Sequence, residues 1–124
     1  MTIRRLEFLQ WFGFLGGGTI WFSTFIVGIG ASEAVCNPAS GRWGIPHDTV
    51  QIALLCFAAF MVCCAELAAV LVYRATRTAE EQGAPPRARM KFFAIGAMTG
   101  NLVFLMIILL SGIATVADRL CHQA

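Results

Sequence analysis

The stretch VQIALLCFAAFMVCCAELAAVLVY, residues 50–73, decides the fold. It is apolar throughout except for Gln51 at its start and one charge, Glu66. At a rise of 1.5 Å per residue a helix of about 20 residues crosses the ~30 Å hydrocarbon core of a bilayer. Residues 9–31 and 92–116 form two further apolar runs of similar length, and neither contains a charged residue. The expected architecture is an all-α integral membrane protein with three transmembrane helices. An outer loop covers residues 32–48 and an inner loop residues 74–90. Little of the 124-residue chain remains outside the spans, so it reads as a single membrane domain, residues 1–124.

Charged residues make up 13% of the chain, about half the share usual in soluble domains. Their distribution orients it. Placing the N-terminus in the cytoplasm puts Arg4, Arg5, Arg74, Arg77, Arg87, Arg89 and Lys91 inside and leaves only Arg42 and Arg119 outside. Seven against two follows the positive-inside rule, so the C-terminus is expected in the periplasm. These bases flank membrane spans, where anionic headgroups account for them, and nucleic-acid binding is not expected. The first run, at about twenty residues, is longer than the roughly 7–15 of a signal-peptide core, so it is read as a retained helix, and no lipidation box precedes Cys36.

Local chemistry fills in the loops. Trp11, Trp43 and Tyr73 fall where interfacial aromatics belong. Pro38, Gly41, Gly44 and Pro46 make the outer loop a compact turn region. Asp48 is placed to cap the second helix, with Gln51 completing a capping-box variant. The second helix is expected to run on past Arg74, with Arg77 pairing with Glu80 or Glu81, until Gly83 and the Pro85-Pro86 pair stop it.

Helices associate in lipid through close approach and polar contacts, since burial of apolar surface gives them no advantage there. Gly13, Gly17 and Gly28 on the first span and Gly96 and Gly100 on the third mark candidate contact faces. On the second span Cys56, Ala59, Cys63, Glu66 and Val70 form a small-and-polar stripe at helical spacing. Trp11, Phe12, Phe14, Trp21, Phe22 and Phe25 load the other sides of span one. They face lipid or dock on a larger membrane partner.

Glu66 is the most costly residue to insert, at roughly 2.5–3.5 kcal/mol for a central acidic residue. Asn101 on span three lies at similar depth in antiparallel helices. A Glu66–Asn101 hydrogen bond would satisfy both, at least cost with the carboxyl protonated. The same carboxyl could instead contact a partner subunit. A proton relay is the third reading, although no other titratable side chain accompanies Glu66 at that depth.

The cysteines divide by position. Cys56, Cys63 and Cys64 lie within the second span and read as small packing residues. Cys36 and Cys121 both fall on the outer side, where a disulfide is permitted. It would close a loop of about 85 residues, with ~4–5 kcal/mol as the upper bound from chain entropy. The rival reading joins His47 and His122 to those cysteines as ligands for copper(I) or zinc, but no CxxC or HxxxH spacing supports it. No histidine lies within a span, so an intramembrane bis-histidine haem site is not expected. Met98 and Met106 read as packing residues. Phosphate loops, Ser-His-Asp sets and paired carboxylates are missing from the sequence. Neither a catalytic set nor a cofactor of the protein's own is expected, though lipid or pigment contact is compatible.

The segment Trp11-Phe12-Gly13-Phe14-Leu15-Gly16-Gly17 with Trp21, the cysteine Cys36 beyond it, Arg87-Ala88-Arg89 at span three and Cys121 near the C-terminus form one pattern. It resembles small three-span bacterial membrane proteins encoded beside haem-copper cytochrome c oxidases. Gly18 stands where many members of that group have proline. The resemblance implies an accessory or assembly role beside a respiratory complex and carries no catalytic residues. The expectation is a non-catalytic accessory subunit of an energy-transducing complex in the bacterial inner membrane, with other integral membrane subunits and the lipid bilayer as partners. The alternatives are an assembly factor for metal or haem insertion, using Cys36, Cys121, His47 and His122, and a small oligomeric proton-coupled transporter using Glu66.

Overall fold

A computed structural model describes residues 2–36, 46–77 and 85–117, apart from the side chains of residues 47, 85 and 86. Among these residues the secondary structure is entirely helical: α1 (Ile3–Cys36), α2 (His47–Thr76) and α3 (Pro85–Ala117). All three are long and apolar enough to cross a membrane. They run 34, 30 and 33 residues, so each exceeds the apolar run at its heart and carries the charged flanks within the helix.

The boundaries depart from expectation in instructive ways. The α1 helix persists through Ser32 and Glu33 to Cys36, where a loop is expected. The cap of α2 is Pro46, in an extended conformation (φ −65°, ψ 105°) with no side-chain capping bond, and not Asp48. Asp48 instead sits in the first turn, where a carboxylate favours the helix dipole. The α2 helix ends at Thr76, well short of Gly83. The proposed Arg77 pairing with Glu80 or Glu81 lies outside the described residues. Pro85 opens α3 where it was expected only to end α2, and proline suits a first turn because that turn lacks partners for its amides.

The helices pack up-down-up. At one end Leu6, Val72, Met90 and Ala94 form a cluster, with Leu9 and Tyr73 against it. Towards the other end Ala58, Val62 and Ile108 are covered by Ile20, Trp21, Leu55 and Phe104. The α2 helix packs against both neighbours more extensively than they do against each other. Its buried seam is Ala58, Val62, Ala65, Ala69, Val72 and Thr76, alternating steps of four and three residues. The expected stripe is displaced from this seam: Cys56 and Cys63 are exposed, and Ala59, Glu66 and Val70 are half-buried. Small side chains let the neighbouring backbones approach, which is how helices gain contact without a hydrophobic drive.

Hydroxyl side chains are accommodated by bonding back to their own helix. Thr24 donates to Ile20 O (2.9 Å), Ser32 to Gly28 O (2.9 Å), Thr76 to Val72 O (2.8 Å) and Thr115 to Ser111 O (2.8 Å). Each polar group is thereby satisfied without water, a requirement for any residue at membrane depth.

Candidate functional site

The middle of the bundle holds a polar node built by glycine. Gly13 packs against the backbone of α2, and a Cβ there would stand 3.1 Å from Ala69 N and 3.2 Å from Ala65 O. One turn on, Gly17 leaves the space occupied by the Asn101 side chain. Asn101, 2% exposed, donates from Nδ2 to Gly13 O at 3.0 Å and so ties α3 to α1. The Glu66 carboxyl shares a side-chain hydrogen bond with Asn101, bringing together the two residues paired on depth alone. Its Oε2 is buried without a hydrogen-bond partner. The node therefore joins one residue from α2 and one from α3 to two glycines of α1.

The other expected contact residues divide. Gly28 is buried and faces Gln51, whose Nε2 and Oε1 would each lie 3.1 Å from a Cβ at that position. Gly96 and Gly100 do not pack within the bundle as expected. Gly96 is exposed and only the edge of Phe14 comes within 4.0 Å, while nothing lies that close to Gly100. The aromatics of α1 are also split. Trp11, Phe14, Phe22 and Phe25 are exposed. Trp21, by contrast, turns inward onto Phe104, with ring centroids 5.6 Å apart. Phe14 meets Phe93 edge-on at 5.4 Å.

Two hollows flank the α2–α3 pair. One is a cleft of about 440 Å³ near the end of the bundle where α1 finishes and α2 begins, with walls from all three helices. The second is an apolar groove of about 570 Å³ between α2 and α3, lined by Ile52, Ala59, Leu109 and Gly112 among others. Gln51, placed by the sequence in a capping box, lines the first of these instead. A lone amide one turn into the second helix is the available signal. Gln10 on α1 is likewise a buried amide within an apolar run, and the sequence reading assigns it no role.

Free thiols among the described residues are Cys56, Cys63 and Cys64. Two of them, Cys56 and Cys63, point outward, so they do not fill the core as expected. Cys121 and His122 lie outside the described residues, as does the side chain of His47, so the disulfide and metal readings both rest on positions beyond the described structure. Among the described residues no group of three or more His, Cys, Asp or Glu is placed to hold a metal ion. No family model, curated protein or solved structure matches this chain.

Proposed function

We propose that the protein is a non-catalytic accessory subunit of a larger bacterial inner-membrane complex, of the energy-transducing, respiratory oxidase kind. The observation that carries this reading is the outward surface of α1. Trp11, Phe14, Phe22 and Phe25 stay exposed although two partner helices are at hand. Aromatic side chains gain most from fitted contact, and although Trp11 and Phe14 meet Phe93 and Phe25 stacks on Trp21, the outer faces of all four stay uncovered. The exposed Gly96 and half-exposed Gly100, and the apolar groove between α2 and α3, extend the same character to the other faces. The choice of host rests on the sequence resemblance, and the N-in, C-out orientation on the seven-to-two distribution of Arg and Lys.

In this reading Glu66 and Asn101 hold the bundle together. Cys36 and Cys121 form a periplasmic disulfide, a reading that rests on the shared outer position of the two residues in the sequence. The buried, unpartnered Oε2 of Glu66 favours one second reading, a small oligomeric proton-coupled transporter. Gentle native purification of the tagged protein, followed by identification of whatever co-migrates in fixed ratio, tests the proposal. A fixed-stoichiometry hetero-complex supports it. An isolated oligomer, with every membrane complex intact after deletion of the gene, refutes it.

A further inference from the structure

The cleft at the α1–α2 loop end has a chemistry of its own. Trp21 and Phe25 make an aromatic wall, stacked with centroids 5.5 Å apart and planes within 17°. Leu55 and Ile108 close an apolar side. Gln51 reaches in from α2 across Gly28, where the absent side chain leaves it room. Its Oε1 is buried and has no hydrogen-bond partner, a costly state in apolar surroundings. Glu33 is the one charged residue among the described lining residues, and no Lys or Arg is among them. The hydroxyls of Thr24 and Thr115, two further lining residues, donate to their own helices and so can only accept from a ligand. The cleft thus combines one unmet acceptor, one carboxylate and an aromatic face.

We propose that this cleft binds the primary ammonium head of an amphiphile. A turn of the Gln51 side chain brings Oε1 to an N–H of the ammonium, whose charge faces Glu33, and the Trp21–Phe25 pair supplies cation–π attraction. The alkyl chain leaves along Leu55 and Ile108. A phosphatidylethanolamine headgroup and a free long-chain amine share this chemistry. The inference assigns a ligand class that the accessory-subunit reading does not require, and it is tested on the isolated chain, so either can fail without the other.

The test uses the full chain carrying Trp11→Phe and Trp43→Phe, in phosphatidylcholine nanodiscs, with dodecylammonium as probe and Trp21 fluorescence as readout. The expected result is a saturable change at Trp21. Dodecyltrimethylammonium, which has no N–H, should bind about tenfold more weakly, the scale of one hydrogen bond to a charged group. Glu33→Gln, at an exposed rim position, should weaken dodecylammonium binding by about fivefold or more on the same grounds. Gln51→Leu should do likewise, and Glu66→Gln, at mid-bundle, should leave it unchanged. Phosphatidylethanolamine in the disc that competes with the probe and stays bound in native mass spectrometry identifies the lipid as the source. Undiminished probe binding in such discs identifies the free amine. Unsaturable partitioning with the same slope in Glu33→Gln, or equal affinity for the trimethylammonium probe, overturns the proposal.

Discussion

Asn101 Nδ2 donates to Gly13 O across 3.0 Å, joining α3 to α1 at a point where neither helix offers another polar side chain within the node. Asn101→Leu removes that bond and sets a branched side chain against Gly17. Interhelical hydrogen bonds in membranes average about 0.6 kcal/mol and reach ~1.7, so the loss should be about 1–2 kcal/mol with the steric cost added. Asn101→Ala isolates the bond and should lose less. Reversible unfolding in bicelles measures both, and a leucine variant as stable as wild type would show that the bond carries no weight.

The glycines should separate sharply. A Cβ at Gly17 would collide with the Asn101 side chain, its Cγ lying 3.2 Å away, whereas Gly100 has open space. Gly17→Ala should lower the midpoint of thermal unfolding. Gly100→Ala should leave it level or raise it, since alanine favours a helix by up to about 1 kcal/mol over glycine. The reverse order of midpoints would contradict the arrangement at the node.

Glu66→Gln keeps a group able to bond Asn101 and should retain both stability and incorporation into the proposed host complex. Glu66→Leu should weaken both. If Glu66→Gln abolishes proton movement in the complex while leaving assembly intact, the carboxyl is a carrier and the structural role is secondary.

Thiol chemistry distinguishes the cysteines. Cys56 and Cys63 are exposed and Cys64 is half-buried, so a lipid-soluble maleimide should modify the first two faster. Peptide mapping without reductant should recover Cys36 linked to Cys121, and mapping after reduction should release both. Recovery of free Cys36 before reduction rules out the bridge.

Orientation is read with cysteines introduced into a Cys-free background. An impermeant maleimide applied to intact cells should label Ser40→Cys and spare Gly83→Cys. The opposite pattern inverts the topology.

The three helices were legible because an unbroken apolar run of this length has few other uses. Their ends were not. Residues such as Ser32 and Arg89 look like loop or flank by composition, yet the backbone there continues the helical ladder. Asp48 showed the limit of cap reading, because Pro46 takes the cap with backbone geometry alone. The Glu66–Asn101 pair was readable since two costly polar groups at one depth have few other solutions. The α2 seam was not readable. Cys63 and Val62 are equally apolar, and only the neighbouring helices determine that Val62 is buried and Cys63 exposed. The cleft around Gln51 was hidden for the same reason, since its walls come from three separate segments.

The alternating seam of Ala58, Val62, Ala65, Ala69 and Val72 imposes two kinds of tolerance on one helix. Along the seam, volume is the currency of selection, and one added methylene drives two backbones apart. On the opposite side, at Phe57, Phe60 and Leu67, any bulky oily residue serves equally well. A mutational scan of α2 should therefore trace a ribbon of intolerance to size winding through a field that rejects only charge.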